Sequence, residues 1–106
     1  MFMSGEIGRY ERIFLKCGYT DLRCGIRMLS DLLTMIYSQE LKEGYLYLFC
    51  GRSARKIKGL ICQEEGVMLI TLQLTDPVKW NRQSDDFIEV TESQLLKLLH
   101  GEAISL

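Results

Sequence analysis

The chain has 106 residues, enough for one domain and too few for two ordinary ones, so residues 1–106 read as a single domain. Hydrophobic residues make up 47% and charged residues 25%, which excludes a disordered or fibrous chain. Thirteen Lys and Arg against fourteen Asp and Glu leave a formal charge of -1, but the balance is uneven along the chain.

Residues 9–58 hold ten basic and five acidic side chains, a net +5, whereas residues 59–106 hold three and eight, a net -5. Such asymmetry marks a face for nucleic acid or an acidic partner unless the halves interleave in space and cancel. No apolar run approaches the roughly 20 residues of a membrane helix. The opening "MFMSGEIGRY" lacks the charged, apolar and small-residue order of a secretory leader. A cytoplasmic protein without membrane contact is expected. Cys17, Cys24, Cys50 and Cys62 form no CxxC pair and fall mainly in apolar runs, which points to buried thiols rather than a zinc site or a disulfide.

The first element is a short strand, "RIFLKC", over residues 12–17. "GYTDLR" then offers Thr20 or Asp21 as a helix cap. Through residues 22–41, Ile26, Leu29, Leu33 and Ile36 recur at three- and four-residue steps, widened by Leu22, Leu32 and Met35, which predicts an amphipathic helix lying on the core. "YLYLFC", apolar at every position, predicts an inner strand after Gly44. A turn at Gly51–Ala54 leads into "KIKGLIC", and a second at "EEG" leads into "VMLITLQL", so the three segments form an antiparallel meander. Pro77 interrupts strand pairing, and "TDPVKWNRQSDD" reads as a polar connection. "TESQ", residues 91–94, is a capping-box pattern ahead of Leu95, Leu96, Leu98 and Leu99, with Gly101 as the stop. The expected fold is α+β: a mostly antiparallel sheet of about four strands with two helices packed on it, in the order strand, helix, three strands, helix.

"GRSARKIKG" concentrates Arg52, Arg55, Lys56 and Lys58 within seven positions. Side chains alternate along a strand, so Lys56 and Lys58 share a face, and Arg52 and Arg55 sit at the adjoining turn. Such a hairpin end suits phosphate contact without sequence preference; it equally suits a solvated turn whose lysines guard a sheet edge. In "VKWNR", Lys79 and Arg82 flank Trp80, whose ring either supports base stacking or a protein contact, or folds back onto the core.

No catalytic constellation is visible. His100, the single histidine, stands where a helix C-terminus favours a cation. There is no nucleophile motif and no phosphate loop. The acid pairs in "QEEG" and "SDD" fall in turns, where solvation is the simpler reading than divalent-metal binding. No enzyme activity, metal, cofactor or small-molecule ligand is expected.

Over about residues 10–101 the chain resembles the TnpB accessory protein of insertion sequences of the sixty-six type, a family distinct from the RNA-guided nuclease of the same label. The resemblance is carried by "TDLRCGIRML" and "LYLFCGRSARKIKGL". Thr20, Asp21 and Arg23 match a T-D-M-R motif with Leu22 in place of methionine. Phe49, Arg52, Lys56, Ile57 and Lys58 match an F-x-F strand and a basic turn. Gly66, Leu69, Leu74 and Trp80 match a turn glycine, the following strand and a tryptophan. The departures are Ser53 and Ala54 in the basic turn, Arg55 for aspartate, Cys62 for tryptophan, Leu72 and Gln73 for a Lys-Arg pair, and Asn81 for proline. The resemblance implies a bacterial protein encoded beside a separate transposase and assisting movement of the element. Its expected partners are double-stranded DNA of the element ends, or the transposase or a second accessory protein held by an adaptor that does not touch DNA.

Overall fold

A computed structural model describes residues 10–23, 25–36 and 41–104. Cys24, the stretch 37–40 of the expected helix and the side chain of Ile36 lie outside the described residues. Five strands, β1 (Arg12–Lys16), β2 (Tyr45–Cys50), β3 (Lys56–Gln63), β4 (Gly66–Gln73) and β5 (Phe87–Val90), form one sheet in the order β4-β3-β2-β1-β5. Two helical segments cover it. The first is α1 (Ile26–Asp31), continued by a π-helical turn over Leu32–Ile36, and the second is α2 (Glu92–Leu99).

The meander is present as expected, with β2–β3 and β3–β4 antiparallel. The sheet departs from expectation in two ways. β1 and β2 run parallel, because the helical segment between them returns the chain to the same end of the sheet. A fifth strand, Phe87–Val90, pairs antiparallel with β1 on its other side. The sheet is therefore mixed and five-stranded rather than four-stranded. Four residues are too few for a period-two pattern to stand out after a polar connection, which is why "FIEV" is silent in the sequence.

β2 is apolar throughout because it is the middle strand and both of its faces are covered. On one face Leu46, Leu48 and Cys50 join Ile13, Leu15, Ile57, Ile61 and Val90 beneath Leu95 and Leu98 of α2. On the other, Tyr47 and Phe49 join Leu60 beneath Leu29 and Leu33. At Gly59 a Cβ would stand 3.0 Å from both Ile70 Cγ1 and Leu48 Cδ2, so any larger residue would have to push these side chains aside.

The closing helix starts as its pattern predicts. The Thr91 hydroxyl accepts from the Gln94 amide at 3.1 Å, while the Gln94 side chain accepts from the Thr91 amide at 2.7 Å, a complete capping box. The first helix differs. Its N-cap is Gly25, without a side-chain cap bond, and neither Thr20 nor Asp21 serves. Leu29 and Leu33 are buried, but Ile26, at the start of the helix, is 40% exposed, and Met35 is 77% exposed beyond Leu32, where the switch from α- to π-helical winding breaks the 3.6-residue stripe. Cys17, Cys50 and Cys62 are free and buried, as expected. None of the helices among the described residues is long and apolar enough to cross a membrane.

Candidate nucleic-acid interface

β1 ends on a buried charge. Lys16 is 3% exposed; its ammonium donates to the Cys17 carbonyl at 2.8 Å and pairs with Asp85. The Cys17 amide donates to the Asp86 carbonyl, and the Gly18 amide to the Asn81 carbonyl, both at 2.8 Å. The connection 77–86 is thus tied to the end of β1 rather than left as a free loop. Trp80 completes the tie: it is 5% exposed, and its indole Nε1 donates to the Lys16 carbonyl at 2.9 Å. Of the two roles open to Trp80, the structure adopts packing in the core. With the indole anchored inward, its neighbours Lys79 and Arg82 are exposed.

Past Gly18 the chain lies against the β2–β3 hairpin instead of entering a helix. The Thr20 amide donates to the Cys50 carbonyl at 2.9 Å. Leu22 seats against Gly51, where an added Cβ would meet Leu22 Cδ1 at 3.2 Å. The Thr20 hydroxyl is shut from solvent with no hydrogen-bond partner among the described residues. Asp21 accepts the Arg23 amide at 3.0 Å and grips the Arg23 guanidinium through Nε at 3.0 Å and Nη2 at 2.8 Å. These bonds hold the Asp21 carboxyl down at about 2, so it is an anion at neutral pH and offsets the charge of Arg23.

The hairpin turn is held from below. Ala54, at φ +59 and 8% exposed, accepts the Val78 amide through its carbonyl at 2.8 Å and donates its own amide to Gly51 at 2.9 Å. One side of the turn is therefore core, and Arg52, Ser53, Arg55 and Lys56 are left on the exposed side.

A cleft of about 550 Å3 opens between Thr20–Arg23 on one wall and Arg52, Ser53, Lys56 and Gln73 on the other. A second hollow, of about 800 Å3, lies among Lys79, Asn81, Arg82 and Ile104. Tyr19 lines both, and the Arg82 guanidinium sits 5.6 Å from its ring centroid. The tertiary fold thus brings Arg23, Arg52 and Lys56 to one side of Tyr19, and Lys79 and Arg82 to the other. With Asp21 as the one acid lining either hollow, five basic side chains leave a net +4. Arg55 and Lys58 stand outside the walls. Arg55 is exposed at the turn and its carbonyl accepts from Leu74, while Lys58 is half-buried on the Lys56 face of β3. Tyr19, 36% exposed, has no sequence signal that sets it apart from the chain's other tyrosines. Among the described residues no three His, Cys, Asp or Glu gather as a metal site would require.

A protein named "Uncharacterized protein y4hO" from Sinorhizobium fredii (strain NBRC 101917 / NGR234) is 28% identical over 95 residues, covering 89% of this chain and 83% of that one. None of the solved structures matches the chain. The two motif segments that resemble TnpB face each other across one cleft, and the pattern of the IS66 Orf2 like proteins is matched over residues 11–105: the chain belongs to that family, the accessory proteins of this class of insertion sequence.

Proposed function

We propose that this chain assists transposition as a non-catalytic DNA-contacting accessory, holding backbone phosphates along the two hollows that meet at Tyr19. The observation that carries the reading is convergence. Arg23, the hairpin pair Arg52 and Lys56, and the loop pair Lys79 and Arg82 come from three separate segments to a net +4 surface in a chain of net -1. Phosphate contact by such groups releases counterions and carries no base preference by itself. Tyr19, with the Arg82 guanidinium 5.6 Å from its ring centroid, adds a ring for an unpaired base or a sugar.

The test is equilibrium binding to a duplex of the element's terminal repeat and to a scrambled duplex, each across a salt series. Salt-dependent binding to both is expected. Replacement of Arg52, Arg55, Lys56 and Lys58 by alanine weakens both together and flattens the salt dependence. Binding that the quadruple variant leaves unchanged refutes the reading. A protein adaptor that holds the transposase or the second accessory protein is the other reading, favoured by Ile26, Met28 and Met35 standing exposed on the first helical segment. Absence of binding to either duplex decides for it.

A further inference from the structure

We infer that the outer edge of β4 pairs antiparallel with β4 of a second copy, joining two five-stranded sheets into one. The inference is independent of DNA contact.

β4 ends the sheet, and its eight residues pair with β3 without a break from Gln63↔Gly66 to Lys56↔Gln73. The two-residue turn Glu64–Glu65 makes Gln63 and Gly66 a mutually bonded pair, and bonded and non-bonded pairs alternate from there. The Leu74 amide donating to the Arg55 carbonyl at 2.6 Å agrees with this alternation. Val67, Leu69, Thr71 and Gln73 therefore aim their amides and carbonyls away from β3, where no described strand meets them.

Edge strands are normally protected by charge, proline, bulges or shortness. β5, at the opposite edge, has four residues, carries Glu89 and follows Asp85 and Asp86. β4 has none of these devices. From Gly66 to Thr75 no residue is charged and none is proline, and Met68 is 37% exposed.

A second copy fits this edge for reasons of symmetry and charge. A two-fold axis through Ile70 opposes Val67 with Gln73 and Leu69 with Thr71, so every outward-facing residue meets an outward-facing residue. Glu64 and Glu65 flank one end of β4, while Arg55 and Lys56 lie beside the other, next to Leu74 and Gln73. Reversing the neighbour brings each acid pair within about 10 Å of the other copy's basic pair, two strand spacings away and within a screening length. Asp76 does not intrude, because the chain has already turned back to bond Val78 to Ala54.

The experiment is sedimentation equilibrium of the full chain without DNA, from low to several hundred micromolar. A monomer–dimer equilibrium is expected. Thr71→Pro removes an outward amide and leaves every β3 bond in place, so it raises the dimer dissociation constant at least about tenfold, the donor being lost from both copies. Thr71→Lys, with circular dichroism checked against the parent chain, gives the same result where the proline variant fails to fold. Chains carrying Glu64→Lys with Glu65→Lys, or Arg55→Glu with Lys56→Glu, associate weakly alone and recover when mixed. A chain monomeric at every concentration overturns the inference and leaves the edge to a strand of another protein. A dimer insensitive to the Thr71 substitutions overturns it as well.

Discussion

Trp80 shows how one residue arranges a site it does not face. Its indole bond to the Lys16 carbonyl anchors the 77–86 connection, and Lys79 and Arg82 are presented as a result. Trp80→Phe keeps most of the apolar area but removes the indole bond to that carbonyl. We expect a loss of about 0.5–1.5 kcal/mol in urea unfolding, with an unchanged slope. Cys50 gives a second test at this scale. Burial pushes its thiol from an ordinary 9.0 up to about 12. A raised folded value means that the neutral thiol is the stabilised form. Its contribution is complete below pH 9.0 and is lost as pH climbs toward about 12. In a chain carrying Cys24→Ser, the folded protein at pH 8 should therefore give no rapid reaction with a disulfide reagent, whereas denatured chains react at Cys17, Cys50 and Cys62.

The elements differ in how far local sequence specifies them. α2 is specified by its own first turn: Thr91 and Gln94 satisfy each other's amides, and Leu95 and Leu98 fall on one face. Thr91→Ala should cost about 1 kcal/mol by thermal or urea unfolding. The first helix is specified from outside. The Thr20 amide is taken by the Cys50 carbonyl and Leu22 by the gap at Gly51, so the chain cannot turn helical until Gly25. The apolar stripe read from Ile26 to Ile36 assumes one period throughout, whereas the winding changes at Leu32. The consequence is measurable. Leu29→Ala and Leu33→Ala should each cost about 2–5 kcal/mol, because both side chains are buried against Tyr47, Phe49 and Leu60. Met28→Ala and Met35→Ala, at 63% and 77% exposure, should stay within about 0.5 kcal/mol.

At the scale of the whole molecule, the charge division along the chain is rearranged rather than preserved. Lys79 and Arg82 belong to the acidic half, yet they share Tyr19 with the basic cleft. If the two hollows act as one surface, Lys79→Ala with Arg82→Ala should reduce the salt slope of DNA binding as much as Arg52→Ala with Lys56→Ala does. Each double variant should lower it by about 1.8, from two phosphate contacts apiece. A loop pair without effect would confine the surface to the hairpin.

The sequence by itself determined the strands of the meander, the closing helix, the buried thiols and the family, because alternation, a capping box and ordered motifs are local or colinear signals. The grouping of basic residues at the hairpin was equally legible. Only the tertiary structure decided that β1 and β2 run parallel, that Phe87–Val90 joins the sheet, that Trp80 packs inward, and that Thr20–Arg23 faces the hairpin across a cleft. The physical reason is the same in each case. Strand partners, a donor's buried acceptor and the opposite wall of a cleft lie tens of residues away, and nothing in a window of the chain records them.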